Sequence, residues 1–311
     1  MTEPGTALSV EAFAKVNRSL RVLGKRPDGY HELDTIFQTV DLCDTLLFLE
    51  GEEEGKAAGD VALTIEGREA ASLPADSSNL ILRAARALRE RFSVRLGARI
   101  HLSKEIPIGG GLGGGSSNAA GTLRALTALW KLPATELDLY ALAASLGSDV
   151  AFFLLGGRAR GRGRGEVLTP LLDGPEEWLI LASPPFSLST AAVYGALSAG
   201  ALTDSAAQTN LSGSGSGGGP DRNDLEPAAE SLRGELRRLR LALSDHGATS
   251  ARLSGSGSTV FGVFGDERSA RRAFEGLAGL RKEMKATMTI VKTVSKAAFA
   301  RRAMPSVRAQ R

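Results

Sequence analysis

The chain has a single cysteine, Cys43, in 311 residues. One thiol makes neither an intramolecular disulfide nor a cysteine-rich metal site, so a reducing compartment suits it. Histidine is equally scarce. His31, His101 and His246 lie far apart and form no HExxH pattern. No run reaches the roughly 18 consecutive apolar residues of a membrane span. The opening MTEPGTALSVEAFAKVN has an early glutamate and no basic stretch followed by an apolar core, so no targeting peptide is expected. A cytoplasmic protein with no membrane partner is the expectation. A large charge excess is missing too: 38 Lys and Arg against 35 Asp and Glu leave +3. Nucleic-acid binders show larger, clustered excesses, so no nucleic-acid partner is expected, and the basic tail reads as a solvated one. With 42% apolar and 23% charged residues, a mostly disordered chain is excluded.

Glycine is what the chain has in plenty, 37 residues gathered in a few runs. Around those runs the patterning alternates. Residues 7–24 read as one or two strands, and 35–50 as strand, turn, strand. GEEEGKAAGD reads as a surface hairpin loop, followed by a strand at VALTIEG. Asn79 opens a helix over LILRAARALRERF. A strand at 98–107 runs into glycines 109–115, and helices follow at 116–130 and 136–147. The second half reads as a strand at 178–185, a flexible Gly/Ser connection at 210–224, a helical segment to about Gly247, a strand–turn–strand at 251–265, a helix and a last strand. From Lys296 onward the tail is expected to fray. This order predicts an α+β fold, not a repeated parallel α/β unit. Two domains are expected, 1–165 and 166–311, with the boundary at RGRGRGE.

GGGLGGGSSNAA (109–120) puts six glycines in the seven positions 109–115. Glycine permits positive φ and close backbone approach to a ligand. A run of free N–H groups leading into a helix N-terminus is an anion site, reinforced by the helix dipole. Ser116, Ser117 and Asn118 add hydroxyl and amide groups at the helix start. This chemistry suits a polyphosphate, and the well-patterned helix that follows argues against a mere linker. A Walker A loop is excluded, since its lysine is absent. Gly109, Gly111 and Gly114 satisfy GxGxxG, but any glycine run does. A dinucleotide unit also needs a second strand where residues 116–146 read as two helices.

Pro107 through Ser117 resembles the central Pro-x-x-x-Gly-Leu-Gly-Ser/Gly-Ser-Ser motif of the GHMP kinases. AKVN (14–17), PDGYHEL (27–33), IFQTVDLCD (36–44), GSDV, GRGEVLTPL, NDLEP and SGSGSTVFGVF fall in the order of one branch, the 4-diphosphocytidyl-2-C-methyl-D-erythritol kinases. PDGYHEL is the most specific element, and the resemblance covers about residues 10–292. It implies a two-domain GHMP fold with the active site in the interdomain cleft, and ATP with Mg2+ as cofactors. The implied reaction moves the ATP γ-phosphate to the acceptor's 2-hydroxyl, in the non-mevalonate route to isoprenoid precursors. The acceptor is then a small molecule, and the protein a monomer or weak homodimer. A sister GHMP kinase with another acceptor is the nearest alternative.

The same resemblance assigns residues. From the residues alone, Asp149 caps the next segment as readily as it catalyses, and Lys15 on an apolar strand ordinarily snorkels to solvent. The resemblance makes Asp149 the general base and Lys15 its partner. The family's Gly-Ala-Asp-Val-Pro is here Gly147-Ser148-Asp149-Val150-Ala151, so the loop lacks its proline. Asn17 shares Lys15's face by the period-two rule. Tyr30 and Tyr194 become stacking faces for a cytosine, His31 its edge reader, and Thr190 a substrate contact. For the nucleotide, Asn79, Leu80 and Lys104 match positions near adenine, while Pro107, Gly109, Gly110, Gly111, Leu112, Gly113, Gly114, Gly115, Ser116 and Ser117 form the phosphate loop. Gly255, Ser256 and Gly257, otherwise a plain hairpin turn, are placed beside the substrate phosphates. No metal ligand is assigned.

Overall fold

A computed structural model describes residues 7–51, 60–67, 69–197 and 222–308. Two long strands organise the molecule: β1 (Ala7–Lys25) and β2 (His31–Glu50), antiparallel along nearly their whole length. Both alternate apolar and polar residues, and register shifts near Phe13/Ala14, Asn17/Ser19 and Val22/Gly24 bend the ribbon. The far half of β2 pairs with β4 (Ala98–Lys104), and β4 pairs in parallel with β3 (Val61–Gly67). The near half of β2 pairs with β5 (Arg158–Gly163), which pairs with β6 (Val167–Pro170). A last strand, β11 (Ser306–Arg308), joins β1 and completes seven strands.

Helices α1 (Leu80–Phe92), α2 (Gly114–Leu129), α3 (Glu136–Leu146) and the short α4 (Phe152–Leu155) cover this sheet. Their apolar stripes meet Val10, Ala12, Leu46, Phe48 and Ile100 in one core. A second sheet runs β10 (Thr287–Lys292), β7 (Trp178–Ser183), β9 (Val260–Phe264), β8 (Ser250–Leu253), all antiparallel. Helices α5 (Thr190–Gly195), α6 (Glu226–Leu232), α7 (Glu235–Asp245), α8 (Glu267–Gly276) and α9 (Ala278–Glu283) accompany it. Leu179, Leu181, Phe261 and Val263 of this sheet pack against Ala14, Val16 and Val40 of the long ribbon. The two sheets thus share an apolar seam, and the cleft opens above it.

Several expectations are corrected. Residues 35–50 hold no turn. Asp41 and Asp44 sit within β2 and accept backbone N–H groups of Lys292 and of Glu105 and Ile106. The strands flanking GEEEGKAAGD are not hairpin partners, because β4 runs between them. Most of that loop, and the Gly/Ser stretch up to residue 221, lie outside the described residues. The tail does not fray from Lys296. Ser295 caps α10 (Lys296–Arg302), Phe299 packs on Phe13, and β11 follows.

Candidate active site

A cleft of about 1130 Å³ opens between the two sheets. Its floor is the glycine loop that joins β4 to α2. Gly109, Gly111 and Gly113 all take positive φ, and Gly113 caps the helix in the left-handed region. A Cβ on Gly111 would lie 2.1 Å from the Ser254 carbonyl oxygen, and one on Gly113 2.7 Å from the Phe153 ring. At both positions only glycine fits, for backbone conformation and for space. The first-turn N–H groups of α2 have no intrahelical acceptor and no side-chain cap, which leaves them for a ligand.

The loop is held from two sides. Asp44, fully buried, accepts from Lys104 Nζ at 2.8 Å and from the N–H groups of Glu105 and Ile106 at 2.7 and 2.8 Å. Lys104 also donates to the Ile106 carbonyl. Burial lowers the Lys104 pKa, and the Asp44 charge opposes that shift. On the other side the β8–β9 turn docks onto the loop: Ser254 Oγ donates to the Gly111 carbonyl at 2.9 Å and Thr259 N to the Gly110 carbonyl at 3.1 Å. Asn223 anchors that turn by donating to the carbonyls of Leu253 and Gly255, both at 2.8 Å.

Lys15 stands where these parts meet. Buried on β1, its ammonium donates to Asn17 Oδ1 at 2.6 Å and to the Gly111 carbonyl at 2.9 Å, and lies 3.3 Å from Asp149 Oδ2. Asn17 passes the chain on to Thr35 Oγ1 at 2.8 Å. A Cβ on Gly255 would lie 3.3 Å from Asn17 Oδ1 and 3.6 Å from Lys15 Nζ, so the second glycine turn closes on the same point. Among the described residues lining the cleft, Asp149 is the only carboxylate. It follows the end of α3, where Gly147 has extended backbone, not a left-handed cap.

One end of the cleft is apolar, with Leu73, Pro74, Leu80 and Leu102 beside Asn79. Asn79 is the N-cap of α1, with Oδ1 accepting from Ile81 N and Nδ2 donating to the Pro74 carbonyl. Lys104, at the end of β4, is buried. The opposite end carries Tyr30, His31, Thr190 and Tyr194. His31 stacks on Tyr194 with ring centroids 4.7 Å apart, and Arg164 lies over the Tyr30 ring at 4.8 Å. Burial, then the charge of Lys25, lowers the His31 pKa. Burial and the negative charge of Asp149 push Tyr194 up to about 12. Thr190 and Ser256 share a hydroxyl–hydroxyl hydrogen bond of 2.9 Å.

The cleft therefore gathers Pro107, Gly109, Gly110, Leu112, Gly114, Gly115 and Ser116 with the residues above, whereas Ser117 and Gly257 do not line it. Ser117 is buried in α2, and Gly257 packs toward Leu253. Sequence reading missed Asp44, Asn223 and Arg164, and gave Asn118 only a general place at the helix start. Asn118 Oδ1 is buried without a protein partner while the residue lines the cleft, an acceptor left for a ligand N–H. The one advance signal for Asp44 was a carboxylate inside an apolar strand pattern.

Residues 79–157 match the family model described as GHMP kinases N terminal domain, and residues 219–280 that of GHMP kinases C terminal. A 4-diphosphocytidyl-2-C-methyl-D-erythritol kinase of Pelotomaculum thermopropionicum is 43% identical over 267 residues, covering 84% of this chain and 90% of its own. A crystal structure of 4-(cytidine 5'-diphospho)-2C-methyl-D-erythritol kinase superposes with a TM-score of 0.71 at 37% identity, covering 91% of this chain and 98% of that one. A homoserine kinase from Cytophaga hutchinsonii reaches the same TM-score at 18% identity, covering 99% of this chain and 98% of that one, and shares the fold. Likeness of sequence across most of both chains, over a cleft built on a glycine loop, makes this an ATP-dependent small-molecule kinase: the chain belongs to the 4-diphosphocytidyl-2-C-methyl-D-erythritol kinase family of GHMP kinases.

Proposed function

We propose that the protein transfers the ATP γ-phosphate to the 2-hydroxyl of 4-diphosphocytidyl-2-C-methyl-D-erythritol, a step toward isoprenoid precursors, with Asp149 as general base. The observation that carries this reading is the Lys15–Asp149 pair, 3.3 Å apart beside the glycine loop, with Asp149 the sole carboxylate among the described cleft residues. A base must reach the acceptor hydroxyl in line with the phosphate it attacks. Asp149 stands between the loop, where the phosphates rest on the N-terminus of α2, and the aromatic end, where a base can stack. Asp149 takes the hydroxyl proton, the oxygen attacks the γ-phosphorus, and ADP leaves. Lys15, held by Asn17 and Gly111, keeps the carboxylate oriented and adds positive charge where negative charge builds.

Adenine fits the apolar end beside Leu80 and Asn79, with Lys104 shaping the wall and Asn118 Oδ1 free to accept from an amino group. Gly109 to Ser116 cradle the phosphates, and Gly255 and Ser256 face them. Tyr30, His31, Thr190 and Tyr194 take the cytidyl group. Mg2+ draws most of its ligands from phosphates and water, which fits a cleft with so few acidic groups. The Ser116 hydroxyl at the start of α2 would hold it with the ATP phosphates, and the ion would neutralise charge on the transferring group. The protein acts as a monomer or weak homodimer in the cytoplasm.

The test is an ADP-release assay with purified protein, ATP, Mg2+ and three acceptors: the cytidyl methylerythritol compound, mevalonate and homoserine. Turnover with the first alone is expected. Turnover with either of the others and none with the first would overturn the reading.

A further inference from the structure

The β5–β6 turn, at the end of RGRGRGE in sequence, contributes to the cleft a cation that the mechanism above does not use. Among the described residues, four cationic side chains line the cleft: Lys15, Lys25, Lys104 and Arg164. Lys15 is engaged by Asn17, Gly111 and Asp149, and Lys104 by Asp44 and Ile106. Arg164 is different. Its guanidinium sits 4.8 Å from the Tyr30 ring centre, at the acceptor end. Its nearest carboxylate oxygen, on Glu166, is 4.0 Å away, beyond hydrogen-bond reach. The other oxygen of Glu166 is taken by the backbone N–H of Arg164 at 2.6 Å. A guanidinium over an aromatic ring keeps its N–H donors, which suit the paired oxygens of a phosphate.

Position supplies the second half. Gly163 and Gly165 flank Arg164 with φ of 71° and 110°, so the turn is tight. A Cβ on Gly165 would lie 3.9 Å from Asp149 Oδ1. Arg164 therefore lies over Tyr30, at the base-stacking end, and its chain neighbour Gly165 borders Asp149, at the reacting hydroxyl. In a nucleoside-diphosphate ester of a polyol, the group between base and polyol is the diphosphate.

We infer that Arg164 is a specificity residue that binds the acceptor's diphosphate and braces Tyr30 for stacking. This rests on the acceptor assignment proposed above. It predicts that acceptor binding depends on the diphosphate charge through Arg164, while the ATP phosphates are served by the glycine loop alone.

Cytidine, CDP and ADP are the probes, measured by calorimetry on the intact protein and on Arg164→Gln and Arg164→Lys. The wild-type protein should bind CDP more tightly than cytidine. In Arg164→Gln that preference should fall about ten- to a hundredfold, with ADP affinity unchanged, which also reports intact folding. Arg164→Lys should fall between, since it keeps the charge and loses the planar fork. In turnover, the glutamine variant should raise acceptor KM far more than it lowers kcat. An unchanged CDP-to-cytidine ratio would overturn the proposal. A loss of ADP affinity instead would assign Arg164 to the donor phosphates and overturn it likewise. Failure of the wild-type protein to bind either cytidine compound would overturn the acceptor reading itself, and this proposal with it.

Discussion

Lys15 and Asp149 face each other at 3.3 Å, yet their side chains differ sharply in exposure, 4% against 32%. The ammonium is fixed by three protein partners, while the carboxylate keeps a side open to the cleft. That asymmetry is what a base needs: one oxygen oriented, the other free to accept a proton. Asp149→Asn should therefore keep the fold, because Lys15 retains Asn17 and Gly111 as acceptors. ATP binding should persist, and turnover should fall about 10²–10⁴-fold, the usual contribution of a general base. Single-turnover kinetics with both substrates saturating checks this, and near-wild-type rates would remove Asp149 from the chemistry.

Asp44→Asn tests the support under the loop. Asp44 is fully buried and is the counter-ion of the buried Lys104. Removing its charge leaves a buried ammonium uncompensated, at a cost of about 3–5 kcal/mol. Urea denaturation should show that loss. ATP KM should rise as well, because Asp44 also accepts the N–H groups of Glu105 and Ile106 just ahead of the glycines. A stable variant with unaltered ATP KM would show that the loop holds its shape unaided.

Asn223→Ala probes the second turn. The amide nitrogen donates to two carbonyls, Leu253 and Gly255, and Asn223 is buried. Deleting it leaves buried acceptors unpaired, at about 1–3 kcal/mol. Gly255 abuts Lys15 and Asn17, so kcat should fall beyond what the stability loss explains. Asn223→Asp, which cannot donate from the same atom when ionised, should not rescue it. Thermal melts alongside steady-state kinetics separate the two effects.

Legibility divides along physical lines. The glycine loop, α1 and α2 were readable because their signals are local: Asn79 as cap, helical spacing of Leu80, Ala84 and Leu88, and a glycine run opening a helix. Lys15 and Asp149, 134 positions apart, carry no mutual signal; only motif resemblance paired them. A turn was read into 35–50 where β2 runs unbroken, and the roles of Asp44 and Asp41 were not legible, since their partners Glu105, Ile106 and Lys292 are distant in sequence. The tail was misread for the same reason. Its basic character is local, whereas the Phe299–Phe13 contact and the Arg302–Glu11 ion pair that hold it are not.

The aromatic end yields the last prediction. His31 and Tyr194 stack at 4.7 Å, and burial is the main reason the His31 pKa lies below its usual value. The neutral ring is therefore favoured in the folded state. Between the lowered folded value and the unfolded value of about 6.5, the unfolded chain binds more protons than the folded one. This contribution to stability is thus present above that window and lost as pH falls through it. Tyr194→Ala uncovers the imidazole, weakens its burial and should raise the His31 pKa toward the usual value. A neutral His31 offers one donor and one acceptor to a base edge, whereas the protonated ring offers donors only. Cytosine and uracil differ in that edge pattern, so His31→Ala should erode cytidyl-over-uridyl preference. Tyr194→Ala should instead weaken both acceptors about five- to a hundredfold through lost stacking. Histidine resonances followed by NMR against pH, with acceptor KM for cytidyl and uridyl compounds, check all of this. If Tyr194→Ala leaves the His31 titration and both acceptor KM values unmoved and raises ATP KM, the nucleobase of the acceptor does not bind at this end.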